Sequence, residues 1–334
     1  MARLDIETGN VVLSGLASAE HQAVLAKPDV LRLQVASSMS DRGMLVSLVS
    51  DSGDILVAPR FPLRPGTDYA LKLDLPKSQF ETILTLPAPD AEAPQLIAFA
   101  PSQAVLPANI LRLYLTFSQP MDSGQLRQSV TLLRADGTEV PNPFLNLETE
   151  LWDGAQTRAT LLLDPGRIKQ GVGPNAEVGA PLEAGESYRL RVAGNVRSAA
   201  GQPLGSDVSI ALRVGPAERR AINPETWQIL VPQAGSQSPL TVAFDRIMDS
   251  GAVRRLLTLN APDGTQMAGH ITTDGGGWSF VPDVPWQPGS YDLKVDPELE
   301  DVSGNTIGAP FDAKPGTIGL RTDPVRLSIN ITSE

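Results

Sequence analysis

Short stretches in which apolar and polar residues alternate recur along the whole chain. A period of two puts every second side chain on one face of an extended segment, as in β-strands that bury a single face. Turn-forming pairs such as Asp136-Gly137 and Asp263-Gly264 separate the stretches. We therefore expect an all-β protein with few long helices. The alternation predicts strands over residues 10–16, 30–36, 45–49, 69–75, 82–86, 111–117, 130–133, 157–163, 188–192, 208–214, 228–231, 240–244, 256–260, 278–281, 291–295 and 325–331.

Two ten-residue phrases of the chain are nearly identical. Residues 115–124 read Leu-Thr-Phe-Ser-Gln-Pro-Met-Asp-Ser-Gly, and residues 242–251 read Val-Ala-Phe-Asp-Arg-Ile-Met-Asp-Ser-Gly. Met121 and Met248 are 127 positions apart, and each is followed 15 residues later by an Asp-Gly pair. Such self-similarity indicates a repeated structural module.

A second phrase occurs three times and implies three modules. In residues 61–73, 181–192 and 284–295, a turn of Pro or Gly residues leads to Tyr69, Tyr188 or Tyr291 at the start of an alternating segment. Immunoglobulin-like sandwiches keep a tyrosine at such a corner, where its hydroxyl closes the bend. The fold predicted is a tandem of three immunoglobulin-like antiparallel β-sandwiches. Their predicted limits are 1–90, 95–215 and 224–334, the last including a C-terminal strand.

The order of the motifs carries a family resemblance. Phe-x-x-x-Met-Asp, then Asp-Gly, a strand ending in Pro, Pro-Gly-x-Tyr and finally Asp301-Val-Ser-Gly-Asn305 resembles the bacterial Ig-like domain of the S-layer (SbsA-like) type. The resemblance covers residues 95–311. In the first unit it is weak, because the Met-Asp phrase is reduced to Met39-Ser-Asp41. The resemblance implies a bacterial, extracytoplasmic spacer, assembly unit or adhesin segment, and it brings no catalytic motif.

Composition narrows the classes of function. The chain has no cysteine, which excludes disulfides and thiolate metal sites, and its net charge of −11 argues against a nucleic-acid partner. No window approaches 18 consecutive apolar residues, so no membrane span is predicted. The first residues lack the apolar core of a signal segment. Either the protein stays inside the cell, or a start codon has replaced a signal segment; we favour the second and expect the periplasm or the cell surface.

The second module carries an insertion that is a candidate partner-binding loop. The strand-end proline and the tyrosine are 23 residues apart in this copy and 9 apart in the third. Long loops on a rigid sandwich often bind partners. The alternative is an ordered loop that packs against a neighbouring module. The candidate residues within 166–180 are Arg167, Lys169, Asn175 and Glu177.

Two features of the sequence bear on metal and sugar binding. Asp301, Ser303 and Asn305 alternate oxygen atoms as calcium ligands do, but the full calcium-loop spacing is missing, so a turn is favoured. Sugar recognition needs exposed aromatic rings. Trp278 and Trp286 are predicted in the core, whereas two others are candidates for a partner surface or for cover between modules: Trp152 and Trp227.

Catalysis is not predicted. His21 and His270 are the two histidines, and neither lies in a recognisable triad, zinc or nucleophile motif. We expect a non-enzymatic spacer or adaptor of the bacterial cell envelope, without a cofactor, whose partner is a protein. The competing class is an accessory module that binds a carbohydrate or calcium. Strand 325–331 either completes the third sandwich or pairs with a neighbour.

Overall fold

The computed structural model describes residues 1–5, 8–36, 43–76, 78–87, 90–169, 173–311 and 322–333. Strands dominate these ranges, and helices are short. Met39-Ser-Asp41, residues 88 and 89 of the predicted proline linker 87–94, and residues 170–172 of the insertion lie outside the described residues.

The first module contains two antiparallel sheets and one helix of nine residues. One sheet has the strand order β1-β2-β5-β4, and the other has the order β3-β6-β7. The elements are β1 (Ala2–Leu4), β2 (Val11–Leu13), α1 (Ser18–Ala26), β3 (Leu31–Val35), β4 (Val46–Asp51), β5 (Asp54–Pro59), β6 (Thr67–Leu75) and β7 (Ser78–Leu86), with a 3-10 turn at Pro28–Val30.

The second module repeats this arrangement with additions. Its sheets have the orders β12-β13-β10-β8 and β11-β14-β15-β9, and β9 runs parallel to β15. The elements are β8 (Leu96–Ala100), β9 (Leu106–Pro107), β10 (Arg112–Phe117), α2 (Leu126–Ser129), β11 (Val130–Arg134), β12 (Leu151–Trp152), β13 (Arg158–Leu162), α3 (Pro165–Ile168), α4 (Gly173–Val178), β14 (Ser187–Val192) and β15 (Val208–Gly215).

The third module has sheets in the orders β16-β17-β20-β19 and β18-β21-β22. The last strand pairs with β21 over its whole length, so it completes this sandwich. The elements are β16 (Gln228–Leu230), β17 (Leu240–Ala243), α5 (Ser250–Leu256), β18 (Leu257–Asn260), β19 (Gly269–Thr273), β20 (Gly277–Pro282), β21 (Gly289–Val295) and β22 (Val325–Ile331), with a 3-10 turn at Pro224–Thr226.

The three modules share one connectivity. In each, the first, second, fifth and fourth major strands form one sheet, and the third, sixth and seventh form the other. This is the constant-type immunoglobulin arrangement. The predicted fold class, an all-β tandem of three immunoglobulin-like sandwiches, is confirmed. Each predicted strand stretch overlaps an observed strand.

A buried tyrosine closes the same corner in every module. Tyr69, Tyr188 and Tyr291 are 1%, 6% and 3% exposed. Each hydroxyl accepts a hydrogen bond from a backbone N–H four or five residues upstream, which satisfies a buried donor at the bend. The donors lie at 2.7, 3.0 and 3.1 Å and belong to Arg64, Glu183 and Gln287, respectively. The tyrosine corner predicted from the repeated phrase is therefore present in all three copies.

The described chain divides into two compact units rather than three. The first consists of Met1–Gln95, Gln119–Asp122 and Gly194–Ser206, and the second of Leu96–Ser118, Ser123–Ala193 and Asp207–Glu334. Most of the second module and all of the third thus belong to one body. The exact limits 1–90, 95–215 and 224–334 stay a prediction. Among the described residues, no helix is long and apolar enough to cross a membrane.

Candidate functional site

The repeated Met-Asp phrase lies next to the turn that follows the sixth major strand of its own module. Met121 forms an isolated bridge with Ser198, and Met248 forms the equivalent bridge with Asp301. Both methionine side chains are fully buried. The phrase therefore supplies an apolar anchor beneath this turn, and in the third module the turn is the Asp301-Val-Ser-Gly-Asn305 run.

This run forms a turn held by its own polar side chains. Asp301, Ser303 and Asn305 are 1%, 0% and 0% exposed. Asp301 Oδ1 accepts from the backbone N–H groups of Ser303 and Asn305, each at 2.9 Å. Asp301 Oδ2 accepts from Asn305 Nδ2 at 2.7 Å. The oxygens that alternate along the sequence are therefore occupied by protein donors, as a structural turn requires.

The turn is also bonded to residues of the second module and to the segment that joins the two modules. Asn305 Nδ2 donates to the backbone oxygen of Glu218 at 3.0 Å, and Asn109 Nδ2 donates to the same oxygen at 2.6 Å. Ser303 Oγ donates to Asn109 Oδ1 at 3.1 Å, and the backbone N–H of Glu218 donates to that oxygen at 2.8 Å. Asn109 therefore connects the turn and the joining segment at once.

An arginine neutralises the carboxylates around the turn. The Arg246 side chain is 5% exposed, and its guanidinium lies 3.1 Å from Asp245, 3.5 Å from Asp301 and 3.7 Å from Glu218. Burial raises the pKa of Asp301 to about 6, although the donors of Asn305 and the charge of Arg246 act in the opposite direction. The carboxylate is thus ionised at neutral pH, but its ionisation opposes folding.

The aspartate of the third module's phrase makes a second connection to the second module. Asp249 Oδ1 accepts from the backbone N–H of Ala252 at 2.8 Å and caps the start of α5. Asp249 Oδ2 accepts a short hydrogen bond from the Tyr114 hydroxyl and lies 3.5 Å from Arg112 Nη1. Burial, followed by the charge of Asp249, raises the pKa of Tyr114. The hydroxyl therefore stays protonated and acts as a donor.

A cleft of about 910 Å³ opens beside these groups. Arg112 lines it, with Nη1 2.6 Å from Glu300 Oε2. Burial lowers the pKa of Arg112, but Glu300 and Asp249 more than offset this, so the net change is upward. A permanently charged arginine paired with carboxylates positions the strands around it rather than moving protons. We name the buried and half-buried groups around the cleft and the turn the joint cluster: Asn109, Arg112, Tyr114, Glu218, Arg246, Asp249, Glu300, Asp301, Ser303 and Asn305.

The central part of the second module's phrase, Gln119–Asp122, belongs to the first compact unit and has a comparable contact there. Asp122 Oδ2 accepts from Arg64 Nη1 at 2.9 Å. Gly201, at φ +85°, lies so close to Pro65 that a Cβ would be 2.3 Å from the Pro65 oxygen. In the third module, a Cβ on Gly304 would be 2.5 Å from Leu111 Cδ1. Both copies of the turn therefore place a glycine against another segment of the chain.

Arg167 holds part of the second module's insertion in place. This side chain is 4% exposed, and its guanidinium donates to the backbone oxygens of Gly179 at 2.9 Å, Pro141 at 2.5 Å and Asn142 at 3.0 Å. These oxygens belong to the second module itself, so Arg167 holds the loop within its own module, and the choice between a partner-binding loop and packing against a neighbouring module stays a prediction.

The other candidates of the insertion differ in exposure. Asn175 Nδ2 donates to the backbone oxygen of Arg167 and holds α4 against α3. Lys169 is half-buried, with Nζ 5.9 Å from the ring centroid of Phe311. Glu177 is exposed on α4. Glu177 is therefore the most exposed of these three side chains.

The two tryptophans singled out as surface candidates are not equivalent to each other. Trp227 is 6% exposed, and its ring packs edge-on against Phe244 at 4.8 Å, so it belongs to the core of the third module rather than to an open platform. Trp152 is half-buried; its Nε1 donates to Glu150 Oε2 at 2.9 Å. Trp278 and Trp286 are buried, as expected.

Sequence reasoning missed the second-module members of the joint cluster: Asn109, Arg112 and Tyr114. Arg112 and Tyr114 occupy outward positions of an alternating strand, where polar side chains are ordinary. The one available signal in the sequence was the aspartate that both Met-Asp phrases contain. An acid that only faces solvent has no reason to recur in both copies, so its recurrence indicates a structural role.

No protein-family model matches this chain, and no curated protein matches it. Solved structures are similar to it at low identity. The N-terminal part of the bacterial S-layer protein SbsC is 10% identical, with a TM-score of 0.27, over 72% of this chain and 45% of that one. A chimeric titin Z1Z2 is 12% identical, with a TM-score of 0.22, over 73% and 98%. Titin domains A168–A170 are 10% identical, with a TM-score of 0.20, over 97% and 93%. The fold assignment above rests on the sheet topology and the tyrosine corners of the chain itself.

Proposed function

We propose that the protein is a non-enzymatic structural or protein-interaction array of a bacterial cell envelope, in which the second and third modules act as one rigid spacer or adaptor. The joint cluster carries this proposal. Its side chains bind each other across the two modules and the segment that joins them. Modules linked only by a flexible segment would move independently, whereas a buried, hydrogen-bonded contact opposes that motion.

The energetics of the joint cluster support rigidity. Each internal hydrogen bond contributes about 1 kcal/mol, and an unsatisfied buried partner costs more than the bond itself contributes. Separating the two modules would break the bond of Ser303 to Asn109 and the contacts of Asp249 with Tyr114 and Arg112, and water would have to replace these partners. The expected opening cost of several kcal/mol keeps the modules in one arrangement for almost all molecules.

The alternative, an accessory module for calcium or carbohydrate, has less support. Both oxygens of Asp301 already accept protein hydrogen bonds, so a calcium ion would have to displace them. The tryptophan rings of the third module lie in its core, leaving Trp152 as the accessible part of the proposed glycan surface.

Distances between spin labels test the rigid-spacer proposal. The chain has no cysteine, so single cysteines at exposed Gln128 and Thr272 can carry labels in the second and third modules. A control pair at Gln128 and Ala211 lies within the second module. We expect the distance distribution between modules to be as narrow as that of the control pair. A distribution several times broader than the control would exclude a rigid spacer.

Location and partner need a separate experiment. Fractionation of the source cells should find the chain in the periplasmic or surface fraction; recovery in the cytoplasm alone would contradict the envelope assignment. For the insertion, Lys169→Ala with Glu177→Ala is preferable to a deletion, because Arg167 anchors the loop to residues 141 and 142. Loss of an envelope protein captured by the intact chain would support a binding loop.

A further inference from the structure

The outward face of one sheet in the second module carries three arginines. Residues of β14 alternate strictly between exposed and buried positions, and β15 alternates between exposed positions and half-buried or buried ones as far as Val214. Arg189 and Arg191 lie two residues apart on β14, and Arg213 lies on the neighbouring β15. All three are exposed. We name these three residues the arginine face.

The register places the three side chains close together. Arg189 is opposite Ala211, and Arg213 is opposite Ser187, so Arg189 and Arg213 are diagonal neighbours. Diagonal neighbours on one sheet face are roughly 7 Å apart, and residues two apart along a strand are separated by about 6.7 Å. Small side chains fill the positions between them, which leaves the guanidinium groups accessible from one side.

Charge on this face is not balanced locally. Arg191 pairs with Asp207 at 2.6 Å. Within the described ranges, neither Arg189 nor Arg213 has an ion pair. The acid nearest in the same row is Glu139, which is bridged to Leu133 and therefore lies about 10 Å from Arg189 across two strand spacings. On a chain with a net charge of −11, this surface is locally positive.

The other modules lack this arrangement at the equivalent positions. Counted from the corner tyrosines and the strand register, the third module has Asp292 in place of Arg189 and Asn330 in place of Arg213. The first module has Ala70 and Thr85 at these places. Lys294 pairs with Arg326 across the strands, and Arg326 in turn forms an ion pair with Asp292. Arg191 corresponds to Lys294 in the third module and Lys72 in the first, so the feature specific to the second module is the pair Arg189 and Arg213.

We infer that the arginine face binds an extended acidic segment of a partner protein, with carboxylates at alternate positions. This deepens the proposed adaptor function and rests on it. An extended peptide repeats its side chains on one face every 6.6–6.8 Å or so, which matches the spacing of Arg189 and Arg191. Guanidinium groups hold carboxylates by paired hydrogen bonds, so such a match adds geometric specificity to charge.

The negative charge of the rest of the chain does not prevent this contact. At physiological ionic strength, charges more than about 8 Å away are largely screened, so a docked segment responds to the arginines beneath it. Exposed ion pairs contribute little each, so the binding is weak and falls with salt. Several copies of such a segment on one partner would compensate for this weakness through multivalency.

A pair of matched double variants tests the inference. Arg189→Asp with Arg213→Asn gives the second module the residues that the third carries at these positions. Lys294→Asp with Arg326→Asn makes the same change in net charge on the equivalent face of the third module. Arg189, Arg213 and Arg326 are exposed and Lys294 is half-buried, so none of the four lies in a core and both variants are expected to fold. Circular dichroism and the spin-label distance of the proposed spacer establish that each variant is intact.

The probe is a fluorescent eight-residue peptide of alternating Glu and Ser, followed by anisotropy at low and physiological salt. We expect the arginine-face variant to lose about tenfold in affinity or more, and the third-module variant to lose less than about threefold. A peptide of the same composition with its four Glu residues in one block should bind more weakly than the alternating peptide.

Four results would overturn the inference. Equal losses in the two double variants would mean that only the total charge matters. Equal binding of the block peptide would remove the argument from strand spacing. Selective binding of a polyuronate in place of the peptide, or self-association that the arginine-face variant abolishes, would assign the face to a polysaccharide or to a second copy. If the peptide does not bind but the spin-label distance stays narrow in all variants, the arginine-face inference is wrong and the rigid-spacer proposal is unaffected.

Discussion

Asn305 is the member of the joint cluster whose replacement should reveal most about it. Its Nδ2 donates to Asp301 Oδ2 at 2.7 Å and to the Glu218 oxygen at 3.0 Å, and its Oδ1 accepts from the Phe311 N–H at 2.9 Å. The residue is fully buried. Asn305→Ala therefore removes three hydrogen bonds at once and leaves their partners inside the protein.

The expected loss follows from these partners. The bond to the ionised Asp301 contributes about 2 kcal/mol, and the two bonds to backbone groups contribute about 1 kcal/mol each, so the free energy of unfolding should fall by about 4 kcal/mol. For a urea dependence near 3 kcal/mol per molar, the unfolding midpoint should move down by more than about 1 M. Asn305→Asp keeps the shape but removes both donors and adds a charge beside Asp301. It should cost at least as much at pH 7, and less at pH 5.

The assay is urea unfolding followed by tryptophan fluorescence, since Trp227, Trp278 and Trp286 all lie buried in the third module. The control is Asn330→Ala, an exposed asparagine on β22 of the same module, which should change stability by less than about 0.5 kcal/mol. A loss below about 1 kcal/mol for Asn305→Ala would refute the reasoning, because it would mean that water replaces these bonds without cost.

The remaining predictions concern the corner, the glycine contact and pH. Tyr291→Phe should lower the free energy of unfolding by about 1–3 kcal/mol, because the N–H and oxygen of Gln287 lose their partner; an unchanged midpoint would contradict this. Gly304→Ala should cost at least about 2 kcal/mol more than Gly264→Ala in thermal or urea unfolding. Both residues have positive φ, but a Cβ meets Leu111 at 2.5 Å only in the first case, and equal costs would show that the contact yields freely. Because the folded pKa of Asp301 is raised to about 6, the folded state binds more protons than the unfolded state between about pH 4 and 6, and stability should fall by up to about 3 kcal/mol as pH rises through this window. Asp301→Asn should remove that part of the slope, and an identical slope in the variant would exclude Asp301 as its source.

The parts of the fold that the sequence could predict are those with local signals. Strands such as β6 and β14 alternate over six residues or more, and the corner tyrosines recur after the same turn chemistry. Strands β1, β9 and β12 have only two or three residues, too few for any period to be visible. Helix α1 buries only Val24, so it shows no apolar stripe.

The candidate site likewise has local contacts that the sequence could predict and distant contacts that it could not. The turn at Asp301 could be predicted because its hydrogen bonds join residues two to four positions apart. Its partner Asn109 is 194 positions from Ser303, and Tyr114 is 135 positions from Asp249. No periodicity links residues so distant. The burial of Arg167 could not be predicted either, because nothing in the sequence distinguishes it from an exposed charged loop residue. Trp227 was open to either interpretation for the same reason, since a tryptophan beside a linker can face inward or outward.

Asp249 gives the contact between the second and third modules a built-in reporter. One of its oxygens caps α5, while the other accepts from Tyr114 of the neighbouring module. When the modules part, this carboxylate gains freedom to turn away from the helix, and the first turn of α5 frays. The amide proton of Ala252 should then exchange with solvent at the rate at which the modules open, so a single backbone signal follows the separation of two sandwiches.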